Sequence, residues 1–378
     1  IQEDSITMSV PIISADGHIV EPPQLWEQRL DRRFRDTAPK VVDKPGQGPM
    51  FVAPGVPDMQ VAAFYALGKE GDELKEVLTK GYEVARPGAW DPAERVKDMD
   101  IDGVAAEVLY PSLGFSLFGL DDSELQLACF KCYNDWMGEF AKYAPKRLFP
   151  VALISLEDVA AGVKEVERAA KLGLKGAMIW SGPPSDRPYH SRLYDPFFAA
   201  AQEHGMVITM HEITAKDKRG TVKMDGSPEF LTYASLHFVH EIQETLCSMV
   251  FGGVLDRYPN LKVVSVELGA GWVPYFVWQL DRRFKKFAPM ADHKLAHLPS
   301  DYMRRQVFFT FEIDPIGPRV TRFFGEDNYL WASDYPHSAT TWPKSLDVIA
   351  DIFSDVPEPI KNKIISSNCD KLFNMNLS

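Results

Sequence analysis

Asp16 and His18 stand two residues apart in SADGH, a spacing that turns both side chains to one face of an extended chain. Joined by a further imidazole and a further carboxylate, such a pair makes a mixed nitrogen and oxygen site for one divalent ion. Zinc is the leading candidate, and manganese or iron(II) also fit such a set. The residues that could complete it close short apolar runs further along. His211 ends MVITMH, and Asp334 lies in YLWASDYP with His337 three residues on. Glu267 ends KVVSVE and Glu312 ends VFFTFE, so two more carboxylates fall at the same kind of position. One strand-terminal histidine would be an ordinary core residue. Ligand-type residues at the same end of three strands point to a site.

The elements that must carry them repeat along the chain. Apolar runs at 11–18, 103–111, 147–155, 176–181, 206–211, 262–267, 307–312 and 329–336 are nearly continuous, as in strands buried on both faces. Helical patterns at 92–100, 122–143, 157–172, 193–204, 229–257, 272–287, 317–325 and 344–355 alternate with them. Eight strands and eight helices in alternation describe a single (β/α)₈ TIM barrel, whose strand C-termini converge on one mouth. An open doubly wound sheet is the other candidate, but ADGHIVEPP after the first strand lacks the glycine-rich GxGxxG turn. The expected unit is one domain over 1–378. Its exception is an insertion over 19–90 after the first strand, with a Pro/Gly-rich stretch at 44–57 and the apolar Met50, Phe51, Phe64 and Tyr65. That position and content predict a lid, with 44–65 covering the mouth.

Composition narrows the function. Of 378 residues, 45% are hydrophobic and 25% charged, as in a soluble globule. A balance of 41 basic against 53 acidic residues gives a net charge of −12, which argues against a phosphate-tracking nucleic-acid surface. The four cysteines make no disulfide framework, and the Cys129–Cys132 CxxC lies in a helical stretch, as two small core residues on one face. No 18-residue apolar run suggests a membrane span, and IQEDSITMSVP lacks the pattern of a signal peptide. The expected partner is a small-molecule substrate, with no nucleic acid and no membrane, in the cytoplasm.

SADGHIVEPPQLWEQRL, the run from NDWMGEF to KGAMI, YDPFFAAAQEHGMVITMH, YPNLKVVSVELGAGWVPY and WASDYPHSATTWP together resemble the amidohydrolase-related family, from residue 11 to about 373. Aminocarboxymuconate-semialdehyde decarboxylase and the resorcylate-type decarboxylases belong to it. The resemblance implies that Asp16 and His18 bind the metal with His211 and Asp334, and that homodimers or higher homo-oligomers form. Two departures stand out. Strand four ends IWSGPP and offers no lysine to bridge two metals, so one ion is expected. Where the decarboxylase branch has an acid/base histidine at the end of strand six, this chain has Glu267.

A carboxylate there would repel a carboxylate substrate by about 4 kcal/mol at about 4 Å and an effective dielectric near 20, unless protonated or paired. A neutral amide, ester, thioester or lactone escapes that penalty. The expected activity is therefore hydrolysis of a small organic, ring-bearing molecule by metal-activated water, with Asp334 taking the water's proton and Glu267 as acid/base or as a structural carboxylate. The alternative is nonoxidative decarboxylation, a carboxy-lyase reaction. His237, in LHFVHEIQETL after strand five, is a further catalytic candidate over the mouth, although helix-surface pairing with Glu241 is the more ordinary explanation. Trp180, Trp272 and His337 are candidates to line the substrate pocket. Glu21 is placed to orient a ligand histidine or to cap the following turn.

Overall fold

The computed structural model describes residues 9–69, 71–216, 227–291 and 293–377. Eight parallel strands, β1 (Ile12–His18), β5 (Val104–Tyr110), β6 (Leu148–Leu153), β7 (Gly176–Ile179), β8 (Val207–His211), β9 (Val263–Val266), β10 (Val307–Phe311) and β11 (Tyr329–Trp331), follow one another in chain order around one sheet. Almost every residue of these strands is buried, because side chains on one face fill the lumen and those on the other meet the helices. The expected TIM barrel is the observed fold.

The first and last strands meet through hydrogen bonds rather than a regular ladder. The Asp334 amide donates to the Asp16 carbonyl (3.0 Å) and the His18 amide to the Tyr335 carbonyl (2.6 Å). Ser14 and Ser333 hydroxyls lie 3.0 Å apart one turn below. This seam sets the first two expected ligands beside Asp334.

The surrounding helices begin where the sequence signals them. Asp91, Asp122 and Asp158 each accept two backbone amides of the first turn that follows, ahead of the helices Pro92–Asp102, Ser123–Ala141 and Val159–Leu172. Gly103 and Gly173 end two of them at φ +74° and +90°, values open to glycine. The pattern at 229–257 is not one helix. A π-turn over Tyr233–His237 interrupts it, and Gly253, at φ +71°, divides Phe238–Phe251 from Val254–Arg257. The helix Pro299–Gln306 and the C-terminal helical turns Glu358–Phe373 add to the expected set.

The insertion folds into a small layer of its own. Strands β2 (Lys40–Lys44), β3 (Gly48–Val52) and β4 (Met59–Gln60) form an antiparallel sheet, followed by a 3₁₀ turn at Val61–Tyr65 and the helix Gly71–Lys80. The Trp26 indole, donating to the Cys129 carbonyl, and the Leu67 amide, donating to the Pro336 carbonyl, tie it to the barrel, and the Tyr82 hydroxyl donates to the Glu21 carbonyl within it. Cys129 is buried in its helix and, like Cys132, is a free thiol. Among the described residues no helix is long and apolar enough to cross a membrane.

Candidate metal centre

Asp16 and His18 both point into the lumen while Gly17 between them faces out, where a side chain would have to displace a buried arginine. A Cβ there would sit 2.9 Å from the Arg95 guanidinium. Arg95 is fully buried, pairs with Glu107 at 2.6 Å and donates to the His18 carbonyl at 2.6 Å, so it braces the back of the DGH turn. His18 Nδ1 lies 2.9 Å from the Pro111 carbonyl, which can only accept. Nδ1 therefore carries the proton, and Nε2 presents its lone pair to the lumen. His211 is set the same way, with Nδ1 3.2 Å from the Glu212 carbonyl.

The two free Nε2 atoms face carboxylates. His18 Nε2 lies 3.2 Å from Asp16 and 3.3 Å from Asp334, while His211 Nε2 lies 3.6 Å from Asp16 and 3.3 Å from Glu267. None of these contacts has hydrogen-bond geometry: both Nε2 atoms and all four oxygens of Asp16 and Asp334 are buried without a hydrogen-bond partner. Buried polar atoms are rarely left so, and six converging on one space fit a divalent cation that would coordinate them. Ligand atoms of Asp16, His18, His211 and Glu267 lie within 4.8 Å of one another, as do those of His18, Glu267, Asp334 and His337. His18 belongs to both groups but has only one free nitrogen, so the groups are two faces of a single-ion site.

Charge supports that fit. Burial would lower the His18 ring, yet Asp16 and Asp334 carry it up to about 10, so with no ion beside it the ring itself takes the positive charge those carboxylates demand. Burial would raise Asp16, but His18 and His211 hold it well below the usual carboxylate range. On the other side of the mouth, burial and the Asp334 and Asp16 charges push Glu212 up to about 8. Burial and the same two charges raise Glu267 and Glu312 well above their ordinary value. Five carboxyls thus share one cavity, and among the described residues no lysine or arginine pairs with any of them. A dication is the counter-charge this arrangement calls for.

The other expected residues divide. His337 is in the cluster, stacked on His18 at 3.7 Å, but Nδ1 faces Asp334 (3.0 Å) and Nε2 faces the Ser112 hydroxyl (2.9 Å). It thus stands beside Asp334 through a contact without hydrogen-bond geometry, while its Nε2 is paired with Ser112. Trp180 is 1% exposed and its indole donates to the Phe118 carbonyl. Trp272 donates to the Leu268 and Gly269 carbonyls and so secures the turn after Glu267. His237 is exposed on the π-turn, stacked on Tyr233 at 5.1 Å, and joins no part of the cluster.

Sequence reasoning passed over Glu212 and Ser112, and it left Glu21 unresolved. Glu21 accepts the amides of Ser112, Leu113 and Gly114 at 3.3, 2.8 and 2.9 Å. It thereby fixes the loop whose Pro111 carbonyl orients His18 and whose Ser112 meets His337. The signal for Glu212 was its place next to His211, at the same strand end.

Over residues 15–375 the chain matches the family described as Amidohydrolase. Among curated relatives, the 2-amino-3-carboxymuconate-6-semialdehyde decarboxylase of Dictyostelium discoideum is 26% identical over 199 residues, 52% of this chain. The match spans about half the length of that relative, 52%. The gamma-resorcylate decarboxylase of Polaromonas sp. (strain JS666 / ATCC BAA-500) is 24% identical over 296 residues, 75% of this chain and 87% of that protein. A solved amidohydrolase from Mycobacterium avium subsp. paratuberculosis superposes with a TM-score of 0.76 at 21% identity, covering 97% of this chain and 100% of that one. At that identity the likeness is one of fold.

Proposed function

The chain belongs to the amidohydrolase family, and from that premise we propose that it is a metal-dependent carboxy-lyase that releases carbon dioxide from a small ring-bearing carboxylic acid. Carbon dioxide release thereby replaces hydrolysis as the leading reading. The observation that carries it is the orphaned cluster of Asp16, His18, His211 and Asp334 in a chain whose curated relatives are named decarboxylases. A divalent ion held by these side chains supplies an anchor for a substrate oxygen and draws electron density from the ring.

The chain's own residues must then move a proton. Decarboxylation without an oxidant adds a proton to the carbon that bears the carboxylate; the carbon–carbon bond breaks, its electron pair returns to the ring, and carbon dioxide leaves. The donor has to hold its proton at neutral pH and face the cavity. Glu312 and Glu267 are both raised in that sense, and Glu312 Oε1 is buried without a partner. His337 is the poorer donor, since burial lowers it to about 4 and its Nε2 already pairs with the Ser112 hydroxyl.

A second reading, hydrolysis of a neutral carbonyl compound, draws on Glu267 and on the crowd of carboxyls, which disfavours an anionic substrate. One assay separates the two. Protein loaded with manganese or zinc is offered hydroxylated benzoates, 2,6-dihydroxybenzoate and 5-carboxyvanillate among them, and in parallel neutral aryl esters and lactones. Bicarbonate formation that is lost on chelation supports the lyase. Acid release from the neutral compounds, with no bicarbonate from any acid, overturns it in favour of hydrolysis.

A further inference from the structure

We infer that Glu267 is itself a ligand of the metal, so that the ion is held by three carboxylates and two imidazoles: Asp16, His18, His211, Glu267 and Asp334. The inference rests on the single-ion reading above and goes beyond it. In the family pattern described above, the position of Glu267 belongs to an acid/base histidine, and no metal is assigned to it.

The geometry is direct. Glu267 is the one carboxylate that belongs to both overlapping ligand groups, and each group gathers its donor atoms within 4.8 Å. Its Oε2 stands 3.3 Å from His211 Nε2, a fully buried nitrogen with no hydrogen-bond partner. Both atoms face the same space as the unpartnered oxygens of Asp16.

The backbone gives a second, independent observation. Glu267 has φ +60° and Asp334 has φ +53°, the left-handed region that L residues with a side chain rarely occupy. These are the only two carboxylates of the cluster so held. The Glu267 amide donates to the Thr310 hydroxyl at 2.8 Å, and the following turn is fastened by Trp272. Two strand ends, one on each side of β10, have thus been bent in the same uncommon way, one carboxylate lying 3.3 Å from His211 Nε2 and the other 3.3 Å from His18 Nε2. A glutamate needed only for structure could point outward from a relaxed extended backbone.

Two consequences follow for the chemistry. A set of three carboxylates and two imidazoles is harder than the four-ligand sites that zinc favours, so manganese(II) or iron(II) is the preferred ion. A coordinated carboxylate is also a poor carrier of the proton, which leaves Glu312, at the neighbouring strand end, as the group that delivers it.

The test reads metal binding rather than turnover. The full chain is stripped with a chelator and titrated with manganese chloride, with free manganese followed by electron paramagnetic resonance; zinc is titrated in a parallel competition assay. Wild type should take one manganese per chain. Glu267→Gln should weaken manganese binding by roughly 10- to 100-fold, and zinc binding by clearly less, because zinc retains four ligands. Glu267→Gly, a residue at ease at φ +60°, should show the same loss and guards against a folding defect. Glu312→Gln removes the same charge from the next strand end and should change manganese affinity by no more than about threefold. Unchanged manganese affinity in both Glu267 variants overturns the inference. So does an equal loss in Glu312→Gln, which would make the effect one of field and not of coordination. If wild type binds neither metal, the single-ion reading fails and takes this one with it.

Discussion

The two arcs of the barrel mouth are built differently. On the β1–β11 side, Asp16, His18 and Asp334 are completely buried and His337 is 7% exposed. Almost every atom there is fixed from behind: Arg95 under Gly17, Pro111 on His18, Ser112 on His337, and backbone bonds across the seam. On the β8–β10 side, His211 is buried, but Glu212, Glu267 and Glu312 are each partly open and none pairs with a basic side chain among the described residues. The rigid arc supplies three of the five ligands, Asp16, His18 and Asp334, and the other arc adds His211 and Glu267 at its edge. Openness and crowded acidity lie where a substrate must enter and a proton must be kept. A mouth with two sides alike would give no reason to separate holding from proton transfer.

The sharpest way to break the contrast is to remove a carboxylate from the closed arc. Asp334→Asn should lose bound metal and drop kcat/KM by roughly 10³-fold or more, because the ion and the chemistry go together. Far-ultraviolet circular dichroism and metal analysis on the same sample should show a folded, metal-poor barrel. At Glu312, on the open arc, the outcome should be the reverse. Glu312→Gln is expected to keep its metal while kcat falls by about 10²- to 10⁴-fold, the usual span for a lost general acid. If Asp334→Asn kept metal, or Glu312→Gln lost it, the division between the arcs would be wrong.

Behind the closed arc, Glu21 offers a smaller, pH-dependent effect. Burial pushes it up to about 7 despite three amides that favour the carboxylate, whereas an unfolded chain would titrate near 4.5. The folded state then binds its proton more tightly, so this group's contribution is complete below about pH 4.5 and is lost as pH rises to about 7. Glu21→Gln should remove that slope from the urea-unfolding free energy and cost about 1–3 kcal/mol through the amides it leaves short of an acceptor. A slope unchanged in the variant would clear Glu21 of it. At the bottom of the scale, His237→Ala should alter stability by less than about 0.5 kcal/mol, as an exposed residue does, and leave turnover as it was. A large loss of activity there would bring the π-turn back into the site.

What the chain's letters revealed follows from what each part must bury. The eight strands stand out because both their faces are covered, which forces continuous apolar runs such as KVVSV and GAMI. Asp16, His18, His211, Glu267, Glu312 and Asp334 were visible because each closes or interrupts such a run with a residue that does not belong in a core. The insertion's sheet was not, since β2 reads KVVDK with no residue buried and its order comes from pairing with β3. Glu21 and Ser112 act through backbone amides and a loop turn, for which spacing gives no sign. The indole of Trp180, one step past the end of its strand, is tied to the Phe118 carbonyl, a partner that the sequence does not signal.

The seam between β1 and β11 also sets a timetable. Ser14 and Ser333 are 319 residues apart in the chain, and the amide of Asp334 reaches back to the carbonyl of Asp16. The DGH turn leaves the ribosome long before its partners after β11 exist. Pairings so distant in sequence are slow to form, and their components stay exposed in the meantime. Barrel closure and completion of the ligand set are therefore one event, and it comes last. A nascent or truncated chain lacking the final strand has its first two donors but cannot cage an ion, so capture of metal reports that synthesis has run to the end of the barrel.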